Sequence, residues 1–408
     1  MKKLLSVVLA LLMLAVMLPV TAMADDANYC TIEGVNGKFD TLTAAAKAWR
    51  ESKGIATSGG NFGSHPDELT IDSISWVISG SVNSGDGTGV NGNNNNNGLL
   101  LSGGYVYPAV KANSIYVKGV NNAELKNEIG SDYALSAAAK TVEYDGITFP
   151  EYVSFNTEAE NVTFKNCTFK GGLKVMQAIN VTVDNCKFEG DGSKDFAFFA
   201  QSVPANSMKA VQFKNNTVSS FMRGINVQAD STATVSITGN TITNLTGKDA
   251  NGGKYGSAIQ LTSGASFTVT DNTINTKNVN AFHLYNGLNA AVTINNNIIT
   301  TDYLIWNAAN LKNISSSGNT LDIKYPGKEL VKVKLDDESE VVNTIDSAIT
   351  INGTVVEHPT TIIITPAGDT PKTEPEKNPT TGANDMVAAA AALMAVSALG
   401  MAVLSRKK

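Results

Sequence analysis

One eight-residue phrase, repeated between Val142 and Leu321, restricts the fold of this chain more than any other feature. It reads VEYDGITF at Val142–Phe149, VTFKNCTF at Val162–Phe169, VTVDNCKF at Val181–Phe188 and VQFKNNTV at Val211–Val218. It returns as VSITGNTI at Val235–Ile242, FTVTDNTI at Phe267–Ile274, VTINNNII at Val292–Ile299 and ISSSGNTL at Ile314–Leu321. Each copy opens with apolar and polar residues in alternation, the period of a strand with one face in a core. Asn166 and Asn185 then suit a bend, because asparagine tolerates left-handed backbone geometry. The next place is held in turn by Ile147, Cys167, Cys186, Asn216, Asn240, Asn272, Asn297 and Asn319.

Copies recur at steps of 19 to 32 residues, which makes each one a turn of a solenoid. Eight turns at about 4.8 Å each span roughly 35 Å. After each bend a second short alternation follows: Ile225 and Val227, Ile259 and Leu261, Phe282 and Leu284, Leu304 and Trp306. Two or three strands per turn without a helical stretch give an all-β class, a parallel β-helix. Residues Asn216, Asn240, Asn272, Asn297 and Asn319 then stack as a ladder of amides hydrogen-bonded along the axis, with Cys167 and Cys186 continuing the column. The two cysteines should lie near contact in neighbouring turns. In-register parallel strands suit disulfide geometry poorly, so reduced thiols acting as small packing residues are expected.

In these phrases the chain resembles the right-handed parallel β-helix, pectate-lyase-like superfamily, over about Leu69–Ile323. The resemblance implies the fold, and leaves function to be argued from a site.

The two ends concern location. Residues 1–24 carry two lysines, an apolar run from Leu4 to Val20 and the small-x-small stretch Ala22-Met23-Ala24, the pattern of a cleaved secretory signal. At the other end, the apolar run Met386–Leu404 is long enough for one bilayer crossing and is followed by a basic tail, within the segment 383–408. Just upstream, Asn378-Pro379-Thr380-Thr381-Gly382 resembles a Gram-positive cell-wall sorting signal, with Asn378 where the commonest version has leucine. That resemblance implies a sortase cutting Thr381–Gly382, and peptidoglycan as the covalent partner. A plain membrane anchor through the C-terminal helix is the alternative. Either places the protein outside the cell, on the wall or membrane of a Gram-positive bacterium.

The whole chain has a formal net charge of −6, and the part between its basic ends is more negative still. Such a surface argues against nucleic acid or anionic lipid as partners. Residues 25–60 read as an N-terminal cap, with a helix begun by Asp40 or Thr41, ended by Gly54, and buried through Leu42, Ala45, Ala46 and Trp49. The coil occupies 61–327 and includes a Gly/Asn loop at 84–98. Closing strands or a small cap follow at 328–365, and a Pro-rich spacer with the sorting motif at 366–382.

Pectin-cleaving relatives place their chemistry on the outward face of the first sheet and in loops beside it. Outward positions of the phrase include Glu143, Asp145, Lys165 and Asp184, with threonine, serine and amides elsewhere. Lys165 separates Asp145 from Asp184, so neither paired carboxylates at hydrolytic distance nor a calcium cage is supplied. No catalytic motif of the family carries over, and no metal or cofactor is implied. A different group suits sugar binding. Arg223, Asn226, Gln260, His283 and Tyr285 fall on adjacent turns, with His283 outward between Phe282 and Leu284. The expectation is a surface-displayed, non-catalytic β-helix, adhesin-like or structural, contacting glycans or host matrix. The competing expectation is an extracellular polysaccharide lyase or glycoside hydrolase built on a loop such as Asp191–Asp195, with Asp191, Lys194 and Asp195.

Overall fold

The structure, a computed structural model, describes residues 28–54, 69–83, 110–126, 133–135, 139–156, 159–202, 208–247, 256–277, 279–285, 288, 290–301, 303–307 and 314–323, and five short strands between 332 and 364. The signal segment, the Gly/Asn loop, the spacer with Asn378–Gly382, the apolar run Met386–Leu404 and the basic tail lie outside the described residues. Among the described residues no helix is long and apolar enough to cross a membrane.

All eight phrases pair in parallel and in register. Val142, Val162, Val181, Val211, Val235, Phe267, Val292 and Ile314 form one column along the coil. The main strands, the short strands after the bend and the paired long strands Leu69–Asn83 and Val110–Lys126 belong to one sheet. A second, eight-stranded parallel sheet runs from Tyr133–Leu135 to Tyr303–Asn307 and supplies the other wall. Between them lies the apolar core, in which aromatic rings repeat in step with the turns. Phe149, Phe169 and Phe188 stack with centroids 5.0 and 4.9 Å apart, and Tyr144 stacks on Phe164 at 5.3 Å. The outward positions of the phrase are partly or fully exposed, as the alternation requires.

The bend divides its work between two residues. Gly146, Asn166, Asn185, Asn215, Gly239, Asp271, Asn296 and Gly318 each take a positive φ of 52 to 71°, which only glycine and short polar residues adopt cheaply. That turn aims the next side chain inward, where the ladder forms. Backbone N–H groups of Asn216, Asn240, Asn272 and Asn297 each donate to the amide oxygen of the next ladder residue at 2.9 Å. The Nδ2 groups bond to that same oxygen and to a strand carbonyl of the preceding turn, as from Asn240 to Phe213 at 2.9 Å. Ladder residues are all buried yet satisfied, which is what makes burying five amides tolerable.

The thiols continue this pattern rather than interrupting it. Cys186 N donates to Asn216 Oδ1 at 2.7 Å, and Cys167 N donates to Cys186 Sγ at 3.4 Å. Both thiols lie within donating distance of strand carbonyls, Cys167 of Tyr144 at 3.6 Å and Cys186 of Phe164 at 3.5 Å. Both are free and buried, and burial raises the Cys167 pKa well above its ordinary value. At the front end the helix Leu42–Ser52 is capped by Thr41, whose Oγ1 accepts from Ala44 N at 3.0 Å. Strand Tyr29–Ile32 pairs antiparallel with Leu69–Asn83 and covers what would be an open edge. At the far end, Thr344–Asp346 and Ile349–Ile351 add a further turn beyond the last phrase. Antiparallel Thr354–Val356 lies on it.

Candidate functional site

The five residues singled out from the sequence lie on or next to the second sheet, away from the phrase strands. Arg223 and Asn226 belong to Arg223–Gln228, Gln260 to Ser257–Ser263 and His283 to Asn280–Leu284, with Tyr285 directly after it. Pairing puts Lys174, Phe199, Asn226, Gln260, His283 and Trp306 into a single column. The flanking residues of these strands, such as Phe198, Ile225, Ile259, Phe282 and Leu284, are core. The column therefore faces away from the core, as alternation predicts for His283.

Depth is where expectation fails. An outward position suggests solvent, yet Asn226 is 1% exposed, Gln260 3% and His283 6%. The column is recessed, and its polar groups must find partners in place of water. Thr262 Oγ1 donates to Asn226 Oδ1 at 2.8 Å, and Gln260 Nε2 reaches Thr262 Oγ1 at 3.4 Å. Among the described residues Asn226 Nδ2 has no hydrogen-bond partner. Burial, reinforced by the positive charge of Arg223, lowers the His283 pKa to about 3, so its ring is neutral at any physiological pH. Its ring centroid lies 5.7 Å from that of half-buried Tyr285.

Two residues before each of the first five members of the column stand Gly172, Ala197, Gly224, Ala258 and Ala281, and the three alanines are fully buried. Nothing larger fits at Gly224, where a Cβ would stand 2.2 Å from the Ala258 carbonyl oxygen.

Three contributors were missed from sequence. Phe196 and Phe199 sit outside the core cluster although nearly buried, with ring centroids 5.9 Å apart. A cation lies over each: Arg223 at 4.0 Å from the Phe196 ring and Lys174 at 5.2 Å from the Phe199 ring. Burial lowers the Lys174 pKa to about 8. The run FAFFA at 196–200 reads as a strand buried on both faces, which hides the fact that two of its rings lie outside. The signal that could have found them is Lys174, a cation inside the apolar run Leu173–Val175.

The competing loop is tied to the same face. Asp195 holds Arg223 by two bonds, from Nε to Oδ1 at 2.5 Å and from Nη2 to Oδ2. Asp191 instead serves its own turn, accepting from Ser193 N at 2.8 Å and Ser193 Oγ at 2.6 Å, and these bonds lower its pKa. Asp191 and Asp195 thus have separate partners and do not form a carboxylate pair. Along the phrase face, Lys165 does separate Asp145 from Asp184, and it pairs with Glu143 at 3.0 Å. Among the described residues no three His, Cys, Asp or Glu side chains gather as a metal ion would require.

A family model described as a right handed beta helix region matches residues 88–255. Comparison with curated proteins and with solved structures gave no match. Together with the in-register parallel sheets, the family match makes the described coil a right-handed parallel β-helix.

Proposed function

We propose that this protein is a non-catalytic β-helix displayed on the surface of a Gram-positive cell, where the outward face of its second sheet contacts glycan. The observation that carries the reading is the recessed amide of Asn226, whose Nδ2 lacks a partner among the described residues. A buried donor left without an acceptor costs about 1–3 kcal/mol. A sugar hydroxyl or ring oxygen brought onto the face recovers that cost. Gln260, neutral His283 and Tyr285 extend the same surface with amide, imidazole and phenol groups. Such groups exchange hydrogen bonds with hydroxyls and stack on sugar rings. In this reading the spacer holds the coil off the wall, and Asn378–Gly382 is the sorting sequence through which a sortase joins Thr381 to peptidoglycan. A host-matrix glycan is an equally suitable partner, since the face recognises sugar chemistry rather than its carrier.

A glycan array probed with the full chain tests this, alongside a variant carrying Gln260→Ala and Tyr285→Ala. Selective binding that the double variant loses, with its melting unchanged, supports the reading. An array without any signal leaves only a spacer role. The lyase or hydrolase reading draws on one observation, the Asp195–Arg223 pair at the rim of this face. Release of unsaturated products or new reducing ends from polysaccharide, abolished by Asp195→Asn, would establish it instead.

A further inference from the structure

The outward face of the phrase strands carries an alternation of its own. Pairing puts Lys118, Asp145, Lys165, Asp184 and Lys214 into one column, one residue per turn, so the sign of the charge reverses at every step. Before Lys118 the column holds Val77, and after Lys214 it holds Thr238 and Thr270. In the neighbouring column, two residues earlier on each strand, Glu143 is the one charge between Ser75 and Thr268. Lys165 pairs with Glu143 at 3.0 Å and Lys214 with Asp184 at 3.4 Å, yet these side chains remain 28 to 42% exposed. Ion pairs so open to water exchange partners at small cost. An alternating column is also self-complementary. Laid on a second copy turn for turn, or turned about an axis through one of its own residues, it opposes like charges. Turned about an axis between two residues, it brings opposite charges together.

We infer that this face docks on the same face of a second copy of the chain. The two coils run antiparallel, about a two-fold axis that lies between the Lys165 and Asp184 turns and follows the strand direction. Lys165 then faces the second copy's Asp184, Asp145 faces its Lys214, and symmetry repeats both contacts. Glu143 faces Gln212, and Tyr116, which is 41% exposed, is covered opposite Ser236. Two registers of the column give four opposite-charge contacts, and this one overlaps the more strands, eight, from Leu69–Asn83 to Ser266–Thr270. Eight strands of five residues cover roughly 34 by 17 Å, about 600 Å² on each copy. A total of about 1,200 Å² lies at the lower end of specific interfaces. Each chain has a formal net charge of −6, so two copies repel at a distance and the local alternation sets the register of a modest dimer. The second sheet is a different wall of the coil and takes no part in the contact.

Sedimentation of the full chain over a range of concentrations reads the monomer–dimer equilibrium, in a mild detergent that keeps the apolar run Met386–Leu404 from associating by itself. Lys165→Glu places two like-charge contacts in the dimer, and so does Asp184→Lys. Each variant alone should dimerise about tenfold more weakly or worse. Mixed in equal amounts, the two variants make only opposite-charge contacts with each other, and the mixture should associate about as tightly as the unaltered chain. Mixing repairs a charge clash and does not repair damaged folding. If either variant fails to fold, carbodiimide coupling of the unaltered chain decides. Asp145 and Lys214 are three turns apart in one chain, about 14 Å, beyond the reach of a direct amide, so a peptide linking them comes from the two-fold contact. Four results would each overturn the docking: a chain monomeric at every concentration, single variants that associate like the unaltered chain, a mixture no tighter than its components, or a dimer without the Asp145–Lys214 link.

Discussion

Replacing Asn272 by leucine cuts the ladder at its centre, and its consequences can be counted bond by bond. The Asn272 side chain accepts from Asn240 N at 2.9 Å and Asn240 Nδ2 at 2.8 Å, and it donates to Ile237 O and Asn297 Oδ1, each at 2.9 Å. After the change Asn240 Nδ2 still has Phe213 O, and Asn297 Oδ1 still has Asn272 N. The Asn240 N–H loses the acceptor it has here, and it is buried. Net bond losses of about 0.5–1.5 kcal/mol each are offset by the apolar surface that leucine buries. The orphaned donor remains, so the expected destabilisation is about 1–3 kcal/mol. Urea unfolding gives the shift in midpoint. Hydrogen exchange of the Asn240 amide gives the local effect, which matters because a solenoid need not unfold in one step. Asn272→Cys is the internal control: thiols already accept and donate at the Cys167 and Cys186 places, so cysteine should cost less than leucine. A leucine variant with unchanged midpoint and an unchanged Asn240 exchange rate would refute the ladder's energetic role. So would a cysteine variant as damaged as the leucine one.

Two further predictions probe the second sheet. His283 has a folded pKa of about 3, below its ordinary 6.5. Between those values the unfolded chain binds the proton that the folded chain refuses, and stability therefore falls as pH drops from about 6.5 toward 3. The full effect is up to about 5 kcal/mol at 1.36 kcal/mol per pH unit; urea midpoints against pH should show a shallower acid slope for His283→Gln, and equal slopes would contradict it. Gly224→Ala forces a Cβ to 2.2 Å from the Ala258 carbonyl oxygen, where only backbone can yield. Its cost should be about 1–3 kcal/mol in unfolding free energy, and a neutral effect would show that neighbouring turns separate more freely than their pairing implies.

What the sequence disclosed and what it hid follow from the same periodicity. The phrase repeats at the level of single side chains, so it reports side-chain column as well as strand. Asn216, Asn240, Asn272, Asn297 and Asn319 could be stacked before any coordinates, and their bonds bear this out. The helix start was legible to Asp40 or Thr41, because a capping side chain and a buried face coincide, and Thr41 is the one that caps. Alternation also gave the correct side of the strand for His283. It could not give depth, which depends on what surrounds a face rather than on which face it is. Phe196 and Phe199 stayed hidden for a related reason, since an apolar run cannot say which of its rings leave the core. The approach of Asp195 to Arg223, 28 residues apart, joined a loop and a sheet face that had stood as rival sites.

That distinction between side and depth also underlies the choice of face in the proposed function. The outward positions of the phrase satisfy one another: Ser236 and Thr238 hydroxyls lie 3.0 Å apart, and Asn295 Oδ1 accepts from Ser317 N and Oγ at 3.0 and 3.1 Å. Lys165 with Glu143, and Lys214 with Asp184, complete ion pairs on the same surface. At these positions the polar groups already have partners on the same face. On the second sheet the accounts differ. An amide, an imidazole and an ammonium group have been taken out of water, and at Asn226 one donor has no acceptor among the described residues. Folding alone gains nothing by recessing that donor, and an apolar residue there would cost less. A ligand that completes the bonds of Asn226 would offset that cost, and this favours the recessed sheet over the repetitive one in the proposed reading.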